Sequence, residues 1–299
     1  MMYFASKTNN SLNGLEYSPE LLPIPVCVNP YYNVQVKGEA PFMIDSGAFQ
    51  DVSSDSRLSF EDALNRQLEF EKTLTPDGRP AYGIVSYDRL VDEQYDGNNQ
   101  FKDRVSYEVG EDYVAETVAA AKYLSSKRDE LRPRKLILSC QGTTTEQYIG
   151  CLKEILKVAT PDDIIGLGGF CIISKSKRYK RQFYEVINQA FPLIAEHEIT
   201  RVHIFGVGII SVLVQADVLG RTYGIECSYD TSSYEVNAVF GRIFDPDHYQ
   251  LTNTFTKRQK KNGYVPPILA LFNISMVKDF WIKLKGMPIP DKFYAGLED

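Results

Sequence analysis

Short apolar runs alternate with longer amphipathic stretches along most of the chain. Phe42-Met43-Ile44, Tyr82-Gly83-Ile84-Val85-Ser86, Lys135-Leu136-Ile137-Leu138, Ile164-Ile165-Gly166-Leu167, Val202-His203-Ile204-Phe205 and Gly224-Ile225-Glu226-Cys227 are short and largely apolar. Strands buried on both faces have this character. Weaker strand signals lie near Tyr3-Phe4-Ala5 and Pro25-Val26-Cys27. Ser59 can cap a helix running to about Leu74, with Asp62 at its third position. Further helices are predicted from about Asp112 to Leu131, behind Thr144 or Thr145 through Ile149, Leu152 and Ile155-Leu156, from Gln182 to His197, and from Ile210 to Leu219. Val265 to Met287 reads as one or two packing helices before a Pro-rich tail.

Strand and helix in alternation point to a parallel sheet. The number of units favours a closed TIM-type (β/α)8 barrel over a doubly wound open sheet. It is expected to form one domain over residues 1–299, with about 250–299 as a helical packing extension. A length of 299 residues with 43% hydrophobic content can bury a large core. No apolar run reaches membrane-spanning length, and Met1 to Lys7 lacks the basic-then-apolar order of a secretory leader. The five cysteines are scattered without a C-x-x-C pair, which suits reduced thiols. A soluble, cytoplasmic protein without a membrane partner is the expectation.

The polar residues that follow the strands carry the candidate chemistry. They are Asp45-Ser46-Gly47-Ala48-Phe49-Gln50, Asp88, Gln141-Gly142, Gly168-Gly169-Phe170, Gly206-Val207-Gly208 and Asp230, in strand order. Taken singly, an Asp after a strand is ordinarily a helix N-cap, and a Gly pair is ordinarily a tight turn. In a (β/α) barrel, however, all the C-terminal strand ends meet on one face. Three carboxylates and an amide around one cavity suit a guanine-like edge, which offers N–H donors at N1 and N2 and an acceptor at O6. One of the three carboxylates is also a competent nucleophile at an anomeric carbon. The same acids could instead ligate Mg²⁺, but that leaves Gln141 and the Gly pair unexplained.

These segments, spread over residues 42–234, resemble the ordered motifs of the tRNA-guanine transglycosylases. Asp45 to Gln50 resembles D-S-G-G-[FY]-Q. Tyr87-Asp88, Gln141-Gly142, Gly168-Gly169-Phe170 and His203 to Gly208 are similar to the later motifs. Tyr229-Asp230-Thr231-Ser232-Ser233-Tyr234 resembles the F-D-S-x-x-Y form of archaeal-type members and of the related DNA-modifying DpdA family. The resemblance implies that Asp230 is a nucleophile holding the sugar covalently, with Asp45 assisting in proton transfer and base binding. It implies that Asp88 reads N1 and N2, while Gln141 and the Gly169 N–H meet O6. Ser46, Phe49, Gly168 and Phe170 would shape the pocket.

The chain departs from that family at three points. Ala48 stands in place of the second Gly of the first motif. The zinc signature C-x-C-x-x-C with a distant His is absent, so no metal or other cofactor is expected. No C-terminal tRNA-binding domain is expected from the sequence. The expected substrate is therefore DNA, with guanine exchanged for a 7-deazaguanine such as 7-cyano-7-deazaguanine. A tRNA or free-nucleoside enzyme, hydrolytic or exchanging, and a catalytically silent binding barrel are the alternatives.

The net charge of -6 argues against an extensive nucleic-acid wrap. A local basic run, Lys175, Lys177, Arg178, Lys180 and Arg181 around Tyr179, is expected either to hold phosphates and stack a base or to be a solvated helix start. A second run, Lys257, Arg258, Lys260 and Lys261, reads as a solvated face. His203 reads as a buried core histidine, and Cys171 and Cys227 as small buried hydrophobes.

Overall fold

Eight short parallel strands close on themselves into a (β/α)8 barrel. The computed structural model describes residues 1–7, 24–51, 57–94, 101–173, 176–247, 251–253 and 266–288. The barrel begins with β1 (Met2–Lys7), β2 (Val26–Val28), β3 (Phe42–Ile44) and β4 (Gly83–Val85). An antiparallel hairpin of β5 (Asp92–Gln94) and β6 (Phe101–Arg104) then leaves the wall. The barrel resumes with β7 (Lys135–Cys140), β8 (Ile164–Leu167), β9 (Arg201–Ile204) and β10 (Glu226–Thr231). Closure comes from β1 lying parallel to β10, with Met2 opposite Ser228 and Phe4 opposite Asp230.

Helices cover the outside: α1 (Ala48–Asp51), α2 (Phe60–Leu74), α3 (Tyr107–Ser126), α4 (Arg128–Leu131), α5 (Thr145–Leu156), α6 (Lys177–Glu196), α7 (Ile210–Tyr223), α8 (Ser233–Val239) and α9 (Pro266–Lys285). A small hairpin, β11 (Arg242–Phe244) and β12 (Leu251–Asn253), precedes α9. Capping sets several starts. Ser59 accepts the Asp62 N–H, and Thr144 accepts the Gln147 N–H, each satisfying an otherwise orphaned donor worth about 1 kcal/mol. Of the segment expected to hold one or two packing helices, Pro266–Lys285 forms one helix, bound to the wall where the Trp281 indole N–H donates to the Tyr229 hydroxyl at 2.8 Å. No helix among the described residues is long and apolar enough to cross a membrane.

Several element boundaries differ from the sequence expectation. β10 extends to Thr231, so Asp230 lies inside a strand and not after it; pairing with both β9 and β1 supplies ladder bonds that a single strand cannot reveal. α6 starts at Lys177, capped by Ser176, which places Lys177, Arg178, Lys180 and Arg181 in its opening turns. α3 starts at Tyr107 behind the Ser106 cap, and the helix breaks at Lys127 before α4.

The barrel has two apolar layers that follow the period of two along each strand. Phe4, Cys27, Met43, Val85, Ile137 and Ile164 fill the interior. Their neighbours Tyr3, Ala5, Val26, Val28, Phe42, Ile44, Leu136 and Leu138 face the helices. This alternation decides which polar residue reaches the mouth. Two residues beyond three of these inward positions come Ser6 after Phe4, Asn29 after Cys27 and Asp45 after Met43.

Candidate active site

The C-terminal mouth of the barrel holds a cavity of about 380 Å³ lined by Asp45, Asp88, Gln141 and Asp230. Ser46, Phe49, Gly168 and Gly169 line it as well. A larger cavity of about 560 Å³ opens at the opposite end, beside Tyr82, Arg201 and Trp281, and holds none of these eight residues. The C-terminal mouth is the candidate site because the converging polar groups are there, as barrel chemistry requires.

Asp230 is the most tightly held of the acids. Its Oδ1 accepts from the Gly206 N–H at 3.1 Å and lies 3.3 Å from His203 Nε2, while Oδ2 accepts from the Ser6 hydroxyl at 2.5 Å. Gly206 has φ +68°, and a Cβ there would lie 2.7 Å from the Cys171 sulfur, so only glycine lets this N–H turn to the carboxylate without strain.

Asp45 sits across the cavity on the loop after β3. Asn29 donates to its Oδ2 at 2.8 Å, and the Ser46 N–H donates to its Oδ1 at 2.8 Å. Burial pushes its carboxyl up to about 7, assisted by the charges of Asp230 and Asp88 and opposed by those two hydrogen bonds. α2 fixes this loop from behind: the Gln67 amide donates to the carbonyls of Ile44, Asp45 and Val85, and Arg66 donates to the Ser46 carbonyl at 2.7 Å.

The raised Asp45 group links stability to pH. Above the ordinary aspartate range but below about 7, the folded chain keeps a proton at Asp45 that the unfolded chain has released. Stability from this group is therefore complete at low pH and falls as pH rises toward neutrality. Asp45→Asn removes that cost. Denaturant melts are expected to show it stabilised by about 1–3 kcal/mol at about pH 8 and little changed at about pH 4. Equal effects at the two pH values would refute the linkage.

Asp88 and Gln141 face each other. The Gln141 amide donates to Asp88 Oδ2, and Gln141 Oε1 accepts the Val91 N–H at 3.2 Å. Burial raises the Asp88 carboxyl above its ordinary value, against the pull of Gln141 and Arg57. Gly169, at φ +74°, passes Gln141 so closely that a Cβ would lie 3.2 Å from Oε1.

A buried arginine that the sequence reading did not single out holds this side of the mouth. Arg104, at the end of β6, donates to the carbonyls of Gly142, Thr143 and Gly169 and to Gln182 Oε1, and it lies beside buried Asp92.

Two expected roles meet obstacles in the packing. Phe170 is fully buried against Tyr148 and Phe183 and does not line the cavity; the chain turns it into the core behind the Gly pair. Tyr179 is not free to stack on a base. It is buried against Ile172, its hydroxyl donates to Asp103, and Arg178 covers its ring. Lys177, Arg178 and Arg181 are exposed and Lys180 is half-buried, whereas Lys175, the run at residues 257–261 and His248 lie outside the described residues.

Cys171, read as a buried hydrophobe, does line the cavity, but burial pushes its thiol well up, which suits a neutral thiol and not a nucleophile. Among the described residues no group of three His, Cys, Asp or Glu side chains is arranged to hold a metal ion. The scattered cysteines do not fit the zinc site that the resemblance would bring.

Sequence reasoning missed Ser6 and Asn29 altogether, and it read Gly206 as a strand-end turn without seeing that its N–H meets Asp230. The period of two would have found Ser6 and Asn29, since each is the next inward position after an interior apolar residue.

No protein-family model and no curated protein matches the chain. Among solved structures, a fructose-bisphosphate aldolase from Campylobacter jejuni is similar at a TM-score of 0.37 and 13% identity, over 95% of this chain and 89% of that one. A likeness that low carries no argument about chemistry.

Proposed function

We propose that this protein is a guanine transglycosylase that exchanges guanine in DNA for a 7-deazaguanine such as 7-cyano-7-deazaguanine, without a metal cofactor. The observation that carries the reading is the convergence of Asp45, Asp88, Gln141 and Asp230 on one cavity. The resemblance of the strand-end motifs to the tRNA-guanine transglycosylases supplies the roles.

The Asp230 carboxylate attacks C1′ of the target nucleotide, and the glycosidic bond breaks as the new C1′–O bond forms. The departing guanine takes a proton from Asp45, whose group near 7 suits transfer in both directions. The incoming base then attacks C1′, releases Asp230 and returns its proton to Asp45. Asp88 and Gln141, which satisfy one another in the free protein, are complementary to a base that offers donors and an acceptor side by side. Lys177, Arg178, Lys180 and Arg181 crowd the positive N-terminal end of α6, where cations are locally unfavourable unless an anion is bound.

One set of incubations tests the reading: protein with labelled guanine and, separately, DNA, tRNA or guanosine. Label entering DNA alone supports it. Label entering tRNA alone moves the substrate to tRNA, and guanine release without exchange identifies a nucleoside hydrolase. No turnover on any of them favours a catalytically silent binding barrel.

Lys177→Glu with Arg178→Glu is expected to lower polynucleotide activity about 10-fold and to reduce the salt slope by about 1–2 while sparing free guanosine. An unchanged salt dependence would leave the run as a solvated helix face.

A further inference from the structure

Resting on the reading of Asp230 as the attacking group, we propose that His203 is its positioning residue, an imidazolium that keeps the carboxylate ionised and fixed at the cavity wall. His203 is completely buried on β9, with Phe4 and Phe205 presenting ring faces and edges to it at centroid distances of 5.7 and 4.6 Å. The ring cannot turn away, so its two nitrogens have fixed partners. Nδ1 lies 2.9 Å from Ser228 Oγ and Nε2 lies 3.3 Å from Asp230 Oδ1.

The charge turns on where one proton goes. Donated to the Val202 carbonyl at 3.2 Å, the single Ser228 hydroxyl proton leaves Ser228 to accept from an Nδ1–H, whereas a neutral ring takes that proton at Nδ1 and leaves the carbonyl without it. Asp230 Oδ1 already accepts from the Gly206 N–H, and Oδ2 from the Ser6 hydroxyl. A carboxylate accepting at both oxygens calls for a proton on Nε2 as well, since two facing lone pairs repel. Both nitrogens protonated means a cation.

That cation answers a problem set by the cavity, where three acids converge. A positive partner offsets the mutual repulsion of carboxylates that share one cavity. Among the described residues, the titratable groups around the pair include Asp45 and Asp88 across the cavity, Cys27 on β2, Cys171 beyond β8 and Tyr3 on β1. Burial raises all five groups, and the charge of Asp230 itself is a further cause for Asp45, Cys27, Cys171 and Tyr3. None of them supplies positive charge. The sequence has three histidines, so the ring can be observed directly.

The test uses the full chain labelled with ¹⁵N-histidine, with the His203 signals assigned by His203→Gln. At about pH 7 both ring nitrogens of His203 are expected to be protonated, and Asp230→Asn is expected to neutralise the ring. A neutral ring in the wild-type protein, in either tautomer, overturns the proposal. In the exchange assay His203→Gln keeps a donor but no charge. Its kcat is expected to fall about 10–100-fold with KM within about 3-fold, and the acid limb of kcat is expected to move to higher pH. An unchanged kcat and pH profile also overturns it. Should His203→Gln fail to fold, Ser228→Ala withdraws only the Nδ1 partner and is expected to shift the same limb in the same direction. If the wild type exchanges no base on any substrate, the functional reading fails, and the NMR signature alone decides whether the charged pair exists.

Discussion

Asp230→Asn is expected to fold normally and to lose base exchange by about a thousandfold or more. Asparagine is nearly isosteric. Its carbonyl can still accept from the Gly206 N–H or from the Ser6 hydroxyl, so the wall of the mouth keeps most of its bonds. It has no anionic oxygen with which to attack C1′, and the two other acids that line the cavity are held away from its place. Asp45 is held across the cavity by Asn29 and Ser46, and Asp88 is bonded to Gln141. Mass spectrometry of quenched reactions should find a protein–sugar adduct in the wild type and none in the variant. Exchange at a near wild-type rate in Asp230→Asn would remove this residue from the chemistry altogether.

The largest effect on stability is expected at Arg104. Four of its hydrogen-bond acceptors come from different parts of the mouth: Gly142 and Thr143 after β7, Gly169 after β8 and Gln182 on α6. Burial pushes the Arg104 guanidinium below its ordinary value and raises the Asp92 carboxyl to about 7, so each group is costly to bury and depends on the other. Arg104→Met leaves three backbone carbonyls without this donor and Asp92 without its cation. A loss of about 3–5 kcal/mol is expected in denaturant melts. Asp92→Asn combined with Arg104→Met should recover part of that loss, because the unpaired acid is gone. A single variant within about 1 kcal/mol of wild type would show that water replaces the guanidinium and that the mouth does not depend on it.

Much of the barrel was legible in the sequence because its signals are local. Ser59 and Thr144 cap helices through contacts three residues away, and the apolar runs at 42–44 and 164–167 coincide with their strands. Asp45, Asp88, Gln141 and Asp230 were found as candidates because each ends or follows such a run. Their grouping around one cavity follows from parallel strands whose ends share a face. The β5–β6 hairpin was missed: it is two short strands within a polar stretch, and its ladder stabilises only a pair already brought together. Phe170 shows the converse. The Gly pair before it marked a turn at the mouth, but which way the next side chain points depends on the space behind α5 and α6.

By itself the sequence determined the alternation of strands and helices, the caps that start several helices, and the polar residues that terminate the barrel strands. Each of these is settled within a few residues by periodicity and local hydrogen bonding. Tertiary structure alone decided the partners of those polar residues. Ser6 reaches Asp230 across 224 positions, because the first strand closes the ring beside the last. Arg104 reaches Gly169 across 65 positions. His203 changes from a core histidine into the neighbour of a carboxylate only once β9 and β10 lie side by side. Contacts at such separations exist only after the loops between them have closed, so they depend on the whole barrel and leave no pattern within any one segment.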